Sequence, residues 1–215
     1  MPLVTFGDSW PYGSELAEGQ HPYGHVLASL LQMPFTNCAV PATSNEHMIL
    51  QLNEYASANG SINGHVAIFF LTWPGRSCWI DYNGYPKEIR PDANANKTSL
   101  EYQYFKYFHT PNQEVFRTHQ SMLSLQRMSS ALDLQDFYIV GWTPNIDFNW
   151  PGIDTAKIYK SGDTTCASWL GISSTNFETD LRSSPYVLPN VCHPNQLGHQ
   201  LIAEKLYNWM KDKIV

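Results

Sequence analysis

The run His65-Val66-Ala67-Ile68-Phe69-Phe70-Leu71 decides the fold. It is too short for a globular helix and rich in β-branched and aromatic side chains, so it reads as a strand buried on both faces. Working upstream, Leu3-Val4-Thr5-Phe6 is a second short apolar run, ending in a turn at Gly7. Residues 23 to 31 have helical apolar spacing at Val26, Leu27, Leu30 and Leu31, and Pro34 to Val40 reads as a strand. Ser44 or Asn45 can cap a helix carrying Met48, Ile49, Leu52 and Tyr55. Downstream, residues 115 to 132 are helical, with Val115, Met122, Leu125 and Leu132 on one face. Phe137 to Trp142 is a strand, and Leu197, Leu201, Ile202, Leu206, Trp209 and Met210 mark a closing helix.

Strand and helix alternating in this way predict right-handed crossovers and a three-layer α/β/α architecture. Its mainly parallel, doubly wound sheet should have about five strands. The whole chain, 1–215, is expected to be one domain with insertions at about 75–110 and 143–190. Each insertion follows the carboxyl end of a strand, the edge where such sheets place ligands.

Composition removes several function classes. Of 215 residues 43% are hydrophobic, too many for a disordered chain, and the net charge is −6 with no basic run. A protein that tracks phosphates needs the opposite sign, so no nucleic-acid partner is expected. Val66 to Leu71 is the longest uninterrupted apolar stretch, too short to span a bilayer. The first residues lack a basic segment followed by a long apolar one, so the expected location is cytoplasmic or virion-associated. Cys38, Cys78, Cys166 and Cys192 are scattered and read as free thiols, with a Cys166–Cys192 bridge the alternative if the protein is exported.

Gly7-Asp8-Ser9-Trp10 follows the first strand directly. A serine on such a strand-to-helix turn exposes its hydroxyl beside backbone N–H groups, as an acyl-transfer nucleophile requires. The same residues also suit a plain helix cap. Near the other end, Cys192-His193-Pro194-Asn195-Gln196-Leu197-Gly198-His199 leaves His193 in the loop before the last helix, with Asn195 as its cap. A histidine there can take the serine proton and return it to the leaving group. His199, inside the helix, is expected to face solvent or pack.

Taken together, Gly7-Asp8-Ser9, the stretch Asn37 to Asn45, and His193-Pro194-Asn195 with Gly198-His199 resemble the SGNH (GDSL-type) hydrolases in order and spacing. The resemblance implies a flavodoxin-like SGNH hydrolase fold and hydrolysis of a carboxylic ester, such as an acetyl ester of a carbohydrate. It makes Ser9 the nucleophile and His193 the base, with oxyanion donors from the Ser9 and Ala42 backbone N–H groups. The substrate would be a small-molecule or glycan ester. Three departures from the family pattern stand out. The second-block glycine is Ala42, which matters if the turn needs positive φ. The third block has Leu71-Thr72-Trp73-Pro74-Gly75-Arg76 where an asparagine is usual, leaving Thr72, the Trp73 indole or Arg76 as substitutes. Asn190 stands where the acid would be, able to orient His193 but not to offset its charge.

No metal or cofactor is expected, because proton transfer activates the nucleophile. His21 and His25 have a spacing that can share a metal on a helix, but Pro22 and Gly24 disfavour a regular helix through both. Trp10 and Trp73 are expected as pocket walls. The aromatic insertion, with Trp79, Tyr82, Tyr85 and Tyr102 to Phe108, is read mainly as a small core of its own and alternatively as a sugar-stacking platform. Two further functions compete with hydrolysis: acyl transfer, and a non-catalytic carbohydrate-binding or phage structural module.

Overall fold

The computed structural model describes residues 1–83, 85–89, 96–141, 150–159, 166–173, 176–188 and 190–214. Four parallel strands form the sheet: β1 (Leu3–Phe6), β2 (Phe35–Asn37), β3 (Val66–Leu71) and β6 (Asp136–Gly141), in the order β2-β1-β3-β6. β3 is central and fully buried, because successive side chains point to opposite faces and both faces are covered. Ala67, Phe69 and Leu71 pack with Met48 and Leu52 of α3 (His47–Asn59) and with Met122 and Leu125 of α5 (Pro111–Ala131). Val66, Ile68 and Phe70 face Tyr23 and Leu27 of α2 (Tyr23–Leu31) and Ile202, Leu206 and Met210 of α8 (Gln196–Met210). One strand's alternation therefore builds both cores of the three-layer fold.

The expected sheet of about five strands is corrected to four among the described residues. Beyond β6, where a further strand would add, there is a single parallel bridge, Ile139 to Ile158. The Tyr159 N–H donates there to the Ile139 carbonyl at 2.9 Å. Trp142, and residues 143–149, 160–165, 174–175 and 189 of the second insertion, lie outside the described residues. Within the first insertion, β4 (Ser77–Ile80) and β5 (Pro86–Ile89) form an antiparallel hairpin, and α4 spans Leu100–Tyr107. Residues 90–95 lie outside the described residues. Nor does the insertion bury most of its aromatics as read from sequence: Trp79, Tyr82, Tyr85, Tyr107 and Phe108 are exposed, and Tyr102, Tyr104 and Phe105 are half-buried. The described part of the hairpin and α4 contributes only Ile89 to the set of fully buried apolar side chains, too little to cover those rings.

The strand order reverses direction between β1 and β3, which opens a crevice at their carboxyl ends. Phe6 is level with Phe69 across that pair, so the turn after β1 and the loop after β3 emerge at one rim.

Candidate active site

The turn after β1 is built for close approach. Gly7 has φ 139°, and a Cβ there would lie 2.7 Å from the Phe70 carbonyl oxygen and 2.8 Å from Pro11, so only glycine fits. Its peptide is gripped from both sides by the buried Gln51 of α3. The Gly7 N–H donates to Gln51 Oε1 and Gln51 Nε2 donates to the Gly7 carbonyl, both at 3.0 Å. Thr43 Oγ1 and the Val40 N–H donate to the same carbonyl. The turn leads into α1 (Ser9–Tyr12), whose N-cap is Asp8: its Oδ1 accepts from the Trp10 N–H at 3.1 Å. Asn37, at the end of β2, donates to the carbonyls of Pro11 and Tyr12 and holds the far end of that short helix. Ser9 is thus the first residue of α1, with its position set by neighbours on β2 and α3.

His193 arrives from the other end of the chain. It opens β8 (His193–Pro194), which pairs with β7 (Val187–Leu188) in a minimal hairpin placing Leu188 opposite His193. The following residues anchor this loop. Asn195 caps α8 through the Gly198 N–H at 3.0 Å and donates to the Pro185 carbonyl at 2.8 Å. Gly198 is there for space, since a Cβ would fall 2.3 Å from the Tyr186 carbonyl oxygen. His199 is fully buried and packs, accepting at Nδ1 from the Tyr23 N–H at 3.1 Å. Of the two histidines in this motif, only His193 turns to the rim.

There its Nε2 lies 2.9 Å from Ser9 Oγ. On the opposite side of the ring, Nδ1 meets the carboxylate of Glu15. That contact is a close approach of a carboxylate to the ring and not an aligned hydrogen bond, for Nδ1 has no partner of good hydrogen-bond geometry. Asn190, expected to orient the ring, is exposed on the turn between β7 and β8, and the carboxylate beside Nδ1 is that of Glu15. Glu15 belongs to none of the motifs legible in the sequence, which put the partner of His193 in the carboxyl-terminal loop. The signal was an acid close behind the serine turn.

Among the expected oxyanion and pocket residues, Ala42 has φ 69°, so the second-block turn does need positive φ and alanine sits there under strain. The Thr72 hydroxyl is spoken for: it donates to Asp8 Oδ2 at 2.5 Å and accepts from Arg76 Nη1 at 2.9 Å. It therefore has no proton to offer an oxyanion, which corrects that expectation. Its backbone is pinned in turn by Asn45, whose Oδ1 accepts from the Thr72 N–H at 2.8 Å. Arg76 pairs with Asp8 at 2.8 Å and also donates to the Thr43 carbonyl, so this cation braces the Ser9 turn against the loops after β2 and β3. Trp73 is 42% exposed at the rim. Trp10, expected as a pocket wall, is instead 4% exposed and packed with Phe70 in the core, because α1 turns its face inward.

His47, Cys78 and Glu88 have donor atoms within 4.8 Å of one another, types that could hold a cation. They already satisfy one another in part: His47 Nδ1 and Glu88 Oε1 are 2.7 Å apart. Burial, with Glu88 alongside, pushes the Cys78 thiol up to about 12, so it keeps its proton. The trio ties the β4–β5 hairpin to the start of α3. His21 and His25 stack face to face with centroids 4.0 Å apart. All four cysteines are free. No helix among the described residues is long and apolar enough to cross a membrane.

No protein-family model matches the chain, and no curated protein does. Solved structures do match in fold over nearly its full length. A lipolytic protein of the G-D-S-L family from Veillonella parvula is 15% identical with a TM-score of 0.52, covering 97% of each chain. The TesA structure is 12% identical with a TM-score of 0.56, covering 99% of each. A psychrotrophic esterase from Pseudoalteromonas sp., determined with monoethylphosphonate as inhibitor, is 13% identical with a TM-score of 0.50, over 98% of this chain and 97% of that one. At these identities the likeness is one of fold: the chain has the mixed α/β fold of the SGNH hydrolases, with a four-stranded parallel sheet flanked by helices.

Proposed function

We propose that this protein hydrolyses carboxylic esters through an acyl-enzyme on Ser9, with His193 as base and then acid. The observation that carries this reading is the 2.9 Å approach of Ser9 Oγ to His193 Nε2 between groups from opposite ends of the chain. A buried serine needs only a helix cap partner to be structural, and Asp8 already supplies the cap. The meeting with an imidazole is what capping leaves unexplained.

In the proposed reaction Ser9 Oγ attacks the ester carbonyl carbon while Nε2 takes its proton. Negative charge collects on the carbonyl oxygen, which the backbone N–H groups of Ser9 and Ala42 stabilise. Collapse of that intermediate breaks the bond to the alcohol oxygen, which leaves with the proton from His193. Water then repeats the sequence on the acyl-enzyme, freeing the acid and regenerating the serine. The balance closes without a cofactor. Arg76 and Thr72 act through Asp8, keeping the turn rigid, and Trp73 forms part of the rim that receives substrate. Exposed rings on the neighbouring hairpin, Tyr82 and Tyr85, favour a glycan ester as the substrate class, because sugars stack on open aromatic faces.

The test is labelling with a fluorophosphonate, read by intact mass, alongside hydrolysis of p-nitrophenyl acetate. The expected result is one adduct per chain on Ser9, absent in Ser9→Ala and slowed at least about 10³-fold in His193→Ala. Unlabelled wild-type protein, or undiminished hydrolysis by Ser9→Ala, overturns the reading.

A further inference from the structure

Glu15 reaches the imidazole on the same turn that presents the nucleophile. After α1 the chain folds back on itself. The N–H groups of Gly13 and Ser14 both donate to the Ser9 carbonyl at 3.1 Å, and Leu16 N–H donates to the Gly13 carbonyl at 3.3 Å. This curl puts Glu15 in the left-handed region at φ 63°, a conformation that side chains with a Cβ disfavour. Its carboxylate, 43% exposed, then lies against His193 Nδ1, while Nε2 on the far side of the same ring faces Ser9 Oγ. Backbone held in a disfavoured conformation to deliver one side chain to a site is the pattern of a functional constraint.

We infer that Glu15 is the carboxylate that positions His193, in the role the carboxyl-terminal loop leaves empty with Asn190; this rests on the serine–histidine reading above. The negative charge beside Nδ1 favours the tautomer that carries the ring hydrogen on that nitrogen, which leaves the Nε2 lone pair turned to the Ser9 hydroxyl. When Nε2 takes the serine proton, the ring becomes a cation, and the negative charge beside it lowers the energy of that state. An amide can do the first of these tasks but not the second. The rearrangement exchanges an acid from the histidine's own loop for one from the serine's turn. Relative motion of the two ends of the chain would therefore strain both imidazole contacts at once.

The experiment compares Glu15→Gln, Glu15→Asp and Asn190→Ala with wild type, using p-nitrophenyl acetate turnover, fluorophosphonate labelling and the downfield proton spectrum. Glu15→Gln should lower kcat by about 10²–10³-fold, with KM within about threefold and the melting temperature unchanged. The loss is set below that of a buried acid because water reaches this carboxylate. Glu15→Asp, keeping the charge on a shorter arm, should recover part of the rate. Asn190→Ala should stay within about threefold of wild type. The imidazole N–H resonance of His193 should have the same shift in wild type and Asn190→Ala, move upfield in Glu15→Gln where the adjacent charge is gone, and be missing from His193→Ala. Wild type that labels normally while Glu15→Gln labels and turns over at the same rate overturns the Glu15 assignment alone. So does a rate loss confined to Asn190→Ala. Wild type that neither labels nor hydrolyses overturns this inference together with the serine–histidine reading.

Discussion

Replacing His199 with asparagine isolates the cost of burying a neutral imidazole beside the site. His199 is fully buried, and its Nδ1 accepts the Tyr23 N–H, so the ring hydrogen is on Nε2 and a second proton would set N–H against N–H. Burial, reinforced by the nearby His193, lowers its pKa to about 4. In the unfolded chain an imidazole titrates near 6.5. Between those values the unfolded state binds the extra proton and the folded state does not, so stability falls as the pH drops. The slope approaches about 1.4 kcal/mol per pH unit, and the loss from pH 7.5 to 4.5 is roughly 2–3 kcal/mol. His199→Asn offers its Oδ1 to the Tyr23 N–H and cannot ionise. At pH 7.5 the variant should be less stable by about 2 kcal/mol for the lost ring. By pH 4.5 the gap should close or reverse. Urea denaturation of both proteins at several pH values measures this, and taking the difference cancels carboxylates and the retained His193. A gap that stays constant from pH 7.5 to 4.5 would refute the reasoning.

Two further predictions concern the turns that carry the site. Ala42→Gly relieves the left-handed strain at φ 69° and should raise stability by about 0.5–1 kcal/mol after the entropy of glycine is deducted, with activity kept; a lower melting temperature contradicts this. Gln51→Leu strips both bonds from the Gly7 peptide and leaves its buried N–H unpaired, so about 2 kcal/mol of stability and most of the fluorophosphonate reactivity should be lost together. Calorimetry and labelling on one sample decide whether the two losses are linked.

The sheet was legible because its signal is local. The alternation within Val66–Leu71 assigns each side chain to a face without knowledge of any neighbour, and both cores follow from it. The serine turn and the histidine loop were legible as motifs for a related reason: Gly7 and Gly198 are demanded by backbone crowding, and Asn195 by the orphan N–H groups of a helix start. Other features had no such signal. Gln51 looks like any polar helix residue until α3 packs its amide against Gly7, and Thr72 looks like a free donor until Asp8 and Arg76 engage it. The exposed rings of the insertion likewise resembled a core, since composition records how apolar a segment is but not whether anything covers it.

The amino-acid order by itself determined the alternating elements, the edge of the sheet where chemistry could gather, and the two residues that would have to meet there. Only the tertiary structure decided which acid stands behind the imidazole. Capping, strand burial and turn geometry are settled within a few residues. The choice between Asn190 and Glu15 depends on how two chain ends, joined through the whole fold, converge on one ring.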